Sequence, residues 1–225
     1  MHDDETTAPQ RERVRNAVVP AVLAGAAIVS IAITSAVSAH ERPDTPTPAP
    51  PALGPALAAT RAALDKYKDP MAAVRDGYFS TVACVEFRGA GSAGTAGHDH
   101  MAYAPGAMGV HFLNPANVGP TLDSLKPQVL LYEPEGDKLR LVGAEWFVPL
   151  AVSKTAPTIF GQTLQGPMEG HPPFMPAGLT HWDLHVWLWE DNPAGVFSPT
   201  NARVKCPTRG YGYSFDDAPP KMVHP

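Results

Sequence analysis

Four side chains in this chain have the types and spacing to hold a cation: His111, Glu145, His181 and His185. Each interrupts an apolar run. His111 sits in Met108-Gly109-Val110-His111-Phe112-Leu113, and Glu145 in the stretch from Leu139 to Val148, between Ala144 and Trp146. His181 and His185 belong to His181-Trp182-Asp183-Leu184-His185-Val186-Trp187-Leu188-Trp189. Neutral imidazole and carboxylate are the ligands that Zn, Cu, Fe or Mn accept as divalent ions. A carboxylate flanked by Leu, Trp and Phe is costly unless it is paired or bound to a cation. Three histidines and one glutamate would complete the set of ligands. The competing reading is a metal-free network in which the same groups hydrogen-bond one another. The spacing is not the helical His-Glu-x-x-His of metalloproteases.

These residues converge only if strands carry them. Side chains on a strand alternate with period two. His181, Asp183, His185, Trp187 and Trp189 therefore share one face, with Leu184, Val186 and Leu188 on the other. Glu145 falls on the face of Leu141 and Phe147. Other histidines stand in loops: His98 and His100 in a glycine-rich stretch, and His171 in Gly-His-Pro-Pro. Either loop could close over the site. Trp146, Trp182, Trp187 and Trp189 with Phe147 are the candidates for an apolar or sugar-binding pocket. No Gly-x-Ser-x-Gly elbow, phosphate-cradling glycine loop or Cys-x-x-Cys-His haem site occurs.

The elements that would position these groups can be read along the chain. The stretch from Ala56 to Lys68 has Leu57, Leu64 and Tyr67 at helical spacing among alanines. Asp69-Pro70 ends it, and Met71 to Asp76 reads as a second short helix closed by Gly77. Strands are expected over 81–87, 108–113, 128–133, 138–148 and 180–189, the third and fourth joined as a hairpin around Pro134-Glu135-Gly136-Asp137. Residues 149–178 show no clear period. The fold class is α+β: N-terminal helices followed by a mainly antiparallel, loop-rich sheet of about five strands. The 26 prolines in 225 residues favour long ordered loops.

Around that unit the layout is simple. Residues 1–16 are polar. Residues 17–39 form an uncharged run long enough to cross a hydrocarbon core of about 30 Å. Arg11, Arg13 and Arg15 precede the run, so the C-terminal part is directed across the membrane. Two readings stay open: an uncleaved membrane anchor, or a signal peptide cut after Val37-Ser38-Ala39. Residues 40–56 are a proline-rich linker of polyproline II character. Residues 57–207 are one globular domain, and 208–225 read as a flexible tail. Two cysteines in an exported chain point to a Cys84–Cys206 disulfide. A net charge of −5, with no basic cluster beyond the N-terminal arginines, argues against nucleic acid as a partner.

Several stretches carry a family likeness: 69–78, 106–112, 129–132, and 184–189 with Asn192-Pro193-Ala194-Gly195. Over about residues 60–206 the chain resembles an uncharacterised family of exported bacterial proteins. That resemblance implies export and a single domain, and no reaction. Together with the residues it leads to an extracytoplasmic domain, secreted or membrane-anchored, that binds a divalent transition metal. The alternative is a metal-free module for a small apolar ligand or an envelope partner. A metal-dependent enzyme is the third reading.

Overall fold

A computed structural model describes residues 53–87, 101, 103–170, 175, 178–207, 212–216 and 220–223. The 17–39 run, most of the 40–56 linker, and His98, His100 and His171 lie outside the described residues. Among the described residues no helix is long and apolar enough to cross a membrane.

Helix α1 spans Pro55–Leu64, with proline in its first turn, where the missing N–H is not needed. It buries Leu57, Thr60 and Leu64, one stripe at helical spacing. A 3-10 turn, Asp65–Lys68, buries Tyr67. Asp69 then caps α2, Pro70–Arg75, by accepting a 3.0 Å bond from the Met71 N–H. These short helices match the sequence expectation to within a residue or two.

The strands are β1 Phe79–Phe87, β2 Gly106–Leu113, β3 Val129–Glu135, β4 Lys138–Pro149, β5 Thr158–Ile159, β6 Gln162–Thr163, β7 Gln165–Met168, β8 His181–Val186 and β9 Gly212–Asp216. Seven of them form one sheet in the order β7-β8-β4-β3-β2-β1-β9. Neighbours are antiparallel except β9, which runs parallel to β1. The sheet is larger than the five strands expected. The aperiodic stretch 149–178 supplies the β5–β6 hairpin and the edge strand β7. The stretch read as a flexible tail supplies β9, and residues 220–223 run beside β7, where Glu169 N–H bonds Lys221 O at 2.9 Å and Val223 N–H bonds Pro167 O at 2.8 Å.

Another departure concerns the tryptophans. Strand β8 stops at Val186, so period two does not carry Trp187 and Trp189 onward. The backbone N–H groups of Trp189 and Glu190 both turn to Val142 O, and Trp187 N–H bonds Val196 O at 3.0 Å. Trp189 gives its indole N–H to Asp65 at 2.9 Å, just past α1.

Strands β2, β3 and β4 are buried along nearly their whole length. That is the pattern of strands covered on both faces. One face carries Val110, Phe112, Leu130, Tyr132, Ala144 and Trp146 by alternation and register. Tyr132 ties this face to the turn after α1 through a 2.7 Å bond to Tyr67 O. The opposite face carries His111, Leu131, Gly143, Glu145, Phe147, Asp183 and His185.

The Cys84–Cys206 disulfide is formed, with a Cα–Cα distance of 5.6 Å. It joins β1 to the segment after Asn201. Lys205 N–H in that segment reaches Glu133 of β3 at 2.8 Å. Arg140 then links Glu133 to Glu135 at 2.6 Å and to Glu190 at 2.7 Å. A structural disulfide belongs to an oxidising, extracytoplasmic compartment.

Candidate metal centre

The register of the sheet brings three of the four expected ligands together. Glu145 on β4 lies directly opposite His185 on β8. Directly opposed residues have Cβ atoms about 4.5–5.5 Å apart, so the two side chains meet at once. His111 is on β2, beyond the intervening strand β3. Two strand spacings are roughly 9–10 Å, a gap that an imidazole and a glutamate can close only by reaching toward each other. They do so above Leu131, which pairs with both His111 and Gly143.

The result is a compact triad. His111 Nε2 and His185 Nε2 each stand 3.7 Å from the same oxygen, Glu145 Oε2. One donor atom from each residue lies within 4.8 Å of the other two. The imidazole rings are nearly perpendicular, at 86°, with centroids 6.4 Å apart. Exposure is 0 % for His111, 1 % for Glu145 and 2 % for His185.

Burial decides the electrostatics. It pushes the Glu145 carboxyl well above the usual carboxylate range, and the nearby charge of Asp183 adds to that. Burial also holds His185 below the usual imidazole range; Asp183 opposes this shift and His181 reinforces it. His185 is therefore a neutral imidazole at physiological pH, the form that binds metal. Glu145 Oε2 and both ring nitrogens of His185 make no hydrogen bond among the described residues. The 3.7 Å separations exceed the range of an N–H···O bond, about 2.7–3.2 Å. They approach the spacing of two donors on one ion: at metal–ligand distances near 2.0–2.1 Å, tetrahedral or trigonal donors stand roughly 3.3–3.6 Å apart.

His181 stands outside the triad. It is buried on the same face of β8, but its Nδ1 lies 3.3 Å from Leu179 O and its Nε2 lies 3.8 Å from Asp183 Oδ2. Its ring packs edge-on against Phe147. Period two gives a residue its face and not its position along the strand. Four residues of strand are about 13 Å, which separates the two histidines.

Gly143 belongs to the site and was not among the sequence candidates, and Gly109 lies two residues before His111. An ideal Cβ at Gly143 would stand 2.9 Å from Val186 O and 3.2 Å from Leu131 Cδ1. One at Gly109, whose φ is +89°, would stand 2.4 Å from Tyr132 O. Gly143 precedes Glu145 by two residues and shares its face, which leaves that stretch of β4 without a side chain beside the ligand. At Gly109 the positive φ breaks the alternation of β2, and glycine is what permits the close approach to Tyr132 O.

The tryptophans do not form one pocket. Trp187 and Trp189 border a cleft of about 670 Å³ with Leu53, Leu57 and Val196. Trp146 and Trp182 bond instead to Asp123 O and Ser153 O. No protein-family model, curated protein or solved structure matches the chain.

Proposed function

We propose that this is an exported domain that binds one divalent transition metal, Zn, Cu, Fe or Mn, through His111, Glu145 and His185. The observation that carries the reading is the placement of two buried imidazole nitrogens at 3.7 Å from one buried carboxylate oxygen. Mutual hydrogen bonding would draw these groups closer, whereas an ion between them would balance the carboxylate charge and occupy the lone pairs. Export rests on the uncharged run behind three arginines and on the disulfide. The 17–39 segment would hold the domain to the membrane if it is not cleaved.

Calorimetric titration of the full-length protein with Zn²⁺ tests the reading. We expect one ion per chain. Repeating the titration in buffers of different ionisation heat should show a proton released on binding. The proton comes from Glu145, which the ion needs as carboxylate. The release should shrink as pH rises through the raised pKa of Glu145, while affinity grows over the same window. The affinity falls further on acidification as His185 protonates, at a pH below the ordinary imidazole range because burial depresses its pKa. Absence of a stoichiometric site would overturn the proposal.

The Trp187–Trp189 cleft supports the second reading, a module for a small apolar ligand or an envelope partner. The cleft shares no residue with the triad, so it supports ligand binding in a metal-free domain and does not by itself decide against the metal centre.

A further inference from the structure

We propose that Asp183, anchored by His181, positions His185 on the metal; the inference rests on the centre described above. An imidazole that gives Nε2 to an ion carries its proton on Nδ1, and that N–H needs an acceptor to fix the ring. In His185 the two nitrogens face two different carboxylates. Nε2 lies 3.7 Å from Glu145 Oε2, and Nδ1 lies 3.7 Å from Asp183 Oδ2. The ring is thus flanked by a ligand carboxylate and a second one behind it, each beyond hydrogen-bond range, so Nδ1–H reaches Asp183 through a small side-chain shift once Nε2 holds the ion. The same Asp183 oxygen is 3.8 Å from His181 Nε2, and His181 Nδ1 reaches the Leu179 carbonyl at 3.3 Å. A line of polar groups therefore runs from a backbone carbonyl through His181 and Asp183 to His185. All three side chains sit on alternate positions of β8, buried to 1–2 % exposure.

Backbone register explains why the two acids take different roles. Glu145 is directly opposite His185, whereas Asp183 is opposite Phe147, one same-face position further along. Its side chain is one methylene shorter and meets His185 from the Nδ1 side. Phe147 packs edge-on against the His181 ring, with centroids 6.1 Å apart. His181 is a positioning residue in this account, and its burial with polar partners follows from that role.

The test uses full-length protein loaded with Cu²⁺. Loss of an outer-shell partner of a ligand histidine costs about 10–100-fold in metal affinity. Asp183→Ala should fall in that range with the stoichiometry kept at one, and Asp183→Asn, which keeps an acceptor oxygen, should lose less. His181→Gln should lose less again and leave the nitrogen hyperfine pattern of the bound Cu²⁺ unchanged. One measurement needs no substitution: nitrogen NMR of the Zn²⁺ form should find the His185 proton on Nδ1. Wild-type affinity in Asp183→Ala would overturn the assignment, as would a proton on Nε2 or loss of a coupled nitrogen in His181→Gln. Each of these leaves wild-type binding intact. A wild-type protein that binds no metal would instead overturn the centre itself, and this inference with it.

Discussion

His185→Ala should lower the Zn²⁺ affinity of the full-length protein by about 10²–10⁴-fold. Structural zinc sites bind with roughly 10–16 kcal/mol at neutral pH. One donor in three carries about 3–5 kcal/mol of that, and each 1.4 kcal/mol is roughly tenfold. Glu145→Gln should also weaken binding, and here two effects have opposite signs. With metal, the variant loses a charged ligand. Without metal, it loses a buried acid whose ionised form burial disfavours, so stability at neutral pH should rise relative to wild type. The folded-state pKa of Glu145 is raised. Its contribution is therefore fully present below the ordinary carboxylate range and is lost as pH climbs through the raised value. The depressed pKa of His185 works in the other direction: its contribution is present above about pH 6.5 and is lost on acidification. Metal-free wild type should thus lose stability toward alkaline pH, and Glu145→Gln should remove that slope. Denaturant unfolding of both proteins with chelator, from pH 5 to pH 8, reads the difference. Parallel pH profiles would contradict the assignment of Glu145 as the strained group.

Cys84→Ser is the second large change. The bridge closes a sequence separation of 122 residues and ties β1 to the strand-free segment that carries Val204, Lys205 and Cys206. A loop of that length restrains the unfolded chain by on the order of 4–5 kcal/mol in the chain-entropy model. Removing a native disulfide typically costs about 2–5 kcal/mol. We expect the variant to unfold with a loss in that range, and reduced wild type to unfold with it. Coincident unfolding of reduced and oxidised wild type would show that the bridge is not structural.

The sequence showed the short-range parts of this molecule well. Helix α1 announced itself through Leu57, Leu64 and Tyr67 at helical spacing, α2 through Asp69-Pro70, and the β3–β4 hairpin through Pro134-Glu135-Gly136-Asp137. Local steric and capping rules act within a few residues, so one sequence carries them. Alternation placed Glu145 with Phe147 and His185 with Asp183, whereas the bulge at Val142 moves Leu141 to the other face, opposite Tyr132. What joins Glu145 and His185 to His111 is register across three strands, which pairing partners far apart in sequence decide. His181 was a misreading rather than a hidden feature: it shares a face with His185, but four residues of strand, about 13 Å, already put it out of reach of the same ion. Strand β9 was missed for another reason. Its Gly-Tyr-Ser-Phe-Asp is short, sits among glycines and prolines, and pairs with a strand more than 120 residues earlier. Trp187 and Trp189 continued the alternation on paper, but the chain leaves β8 at Val186 to bond Val142 and Val196.

The central claim is that one ion joins His111, Glu145 and His185. Crystals of the full-length protein grown with Zn²⁺, or of its mature form if the 17–39 run is cleaved, allow diffraction at the zinc absorption edge. We expect a single strong anomalous peak inside the sheet's polar face, about 2.0–2.2 Å from Nε2 of both histidines and from a Glu145 oxygen. No peak there, or one bound by surface residues while the triad closes on itself through hydrogen bonds, would contradict it.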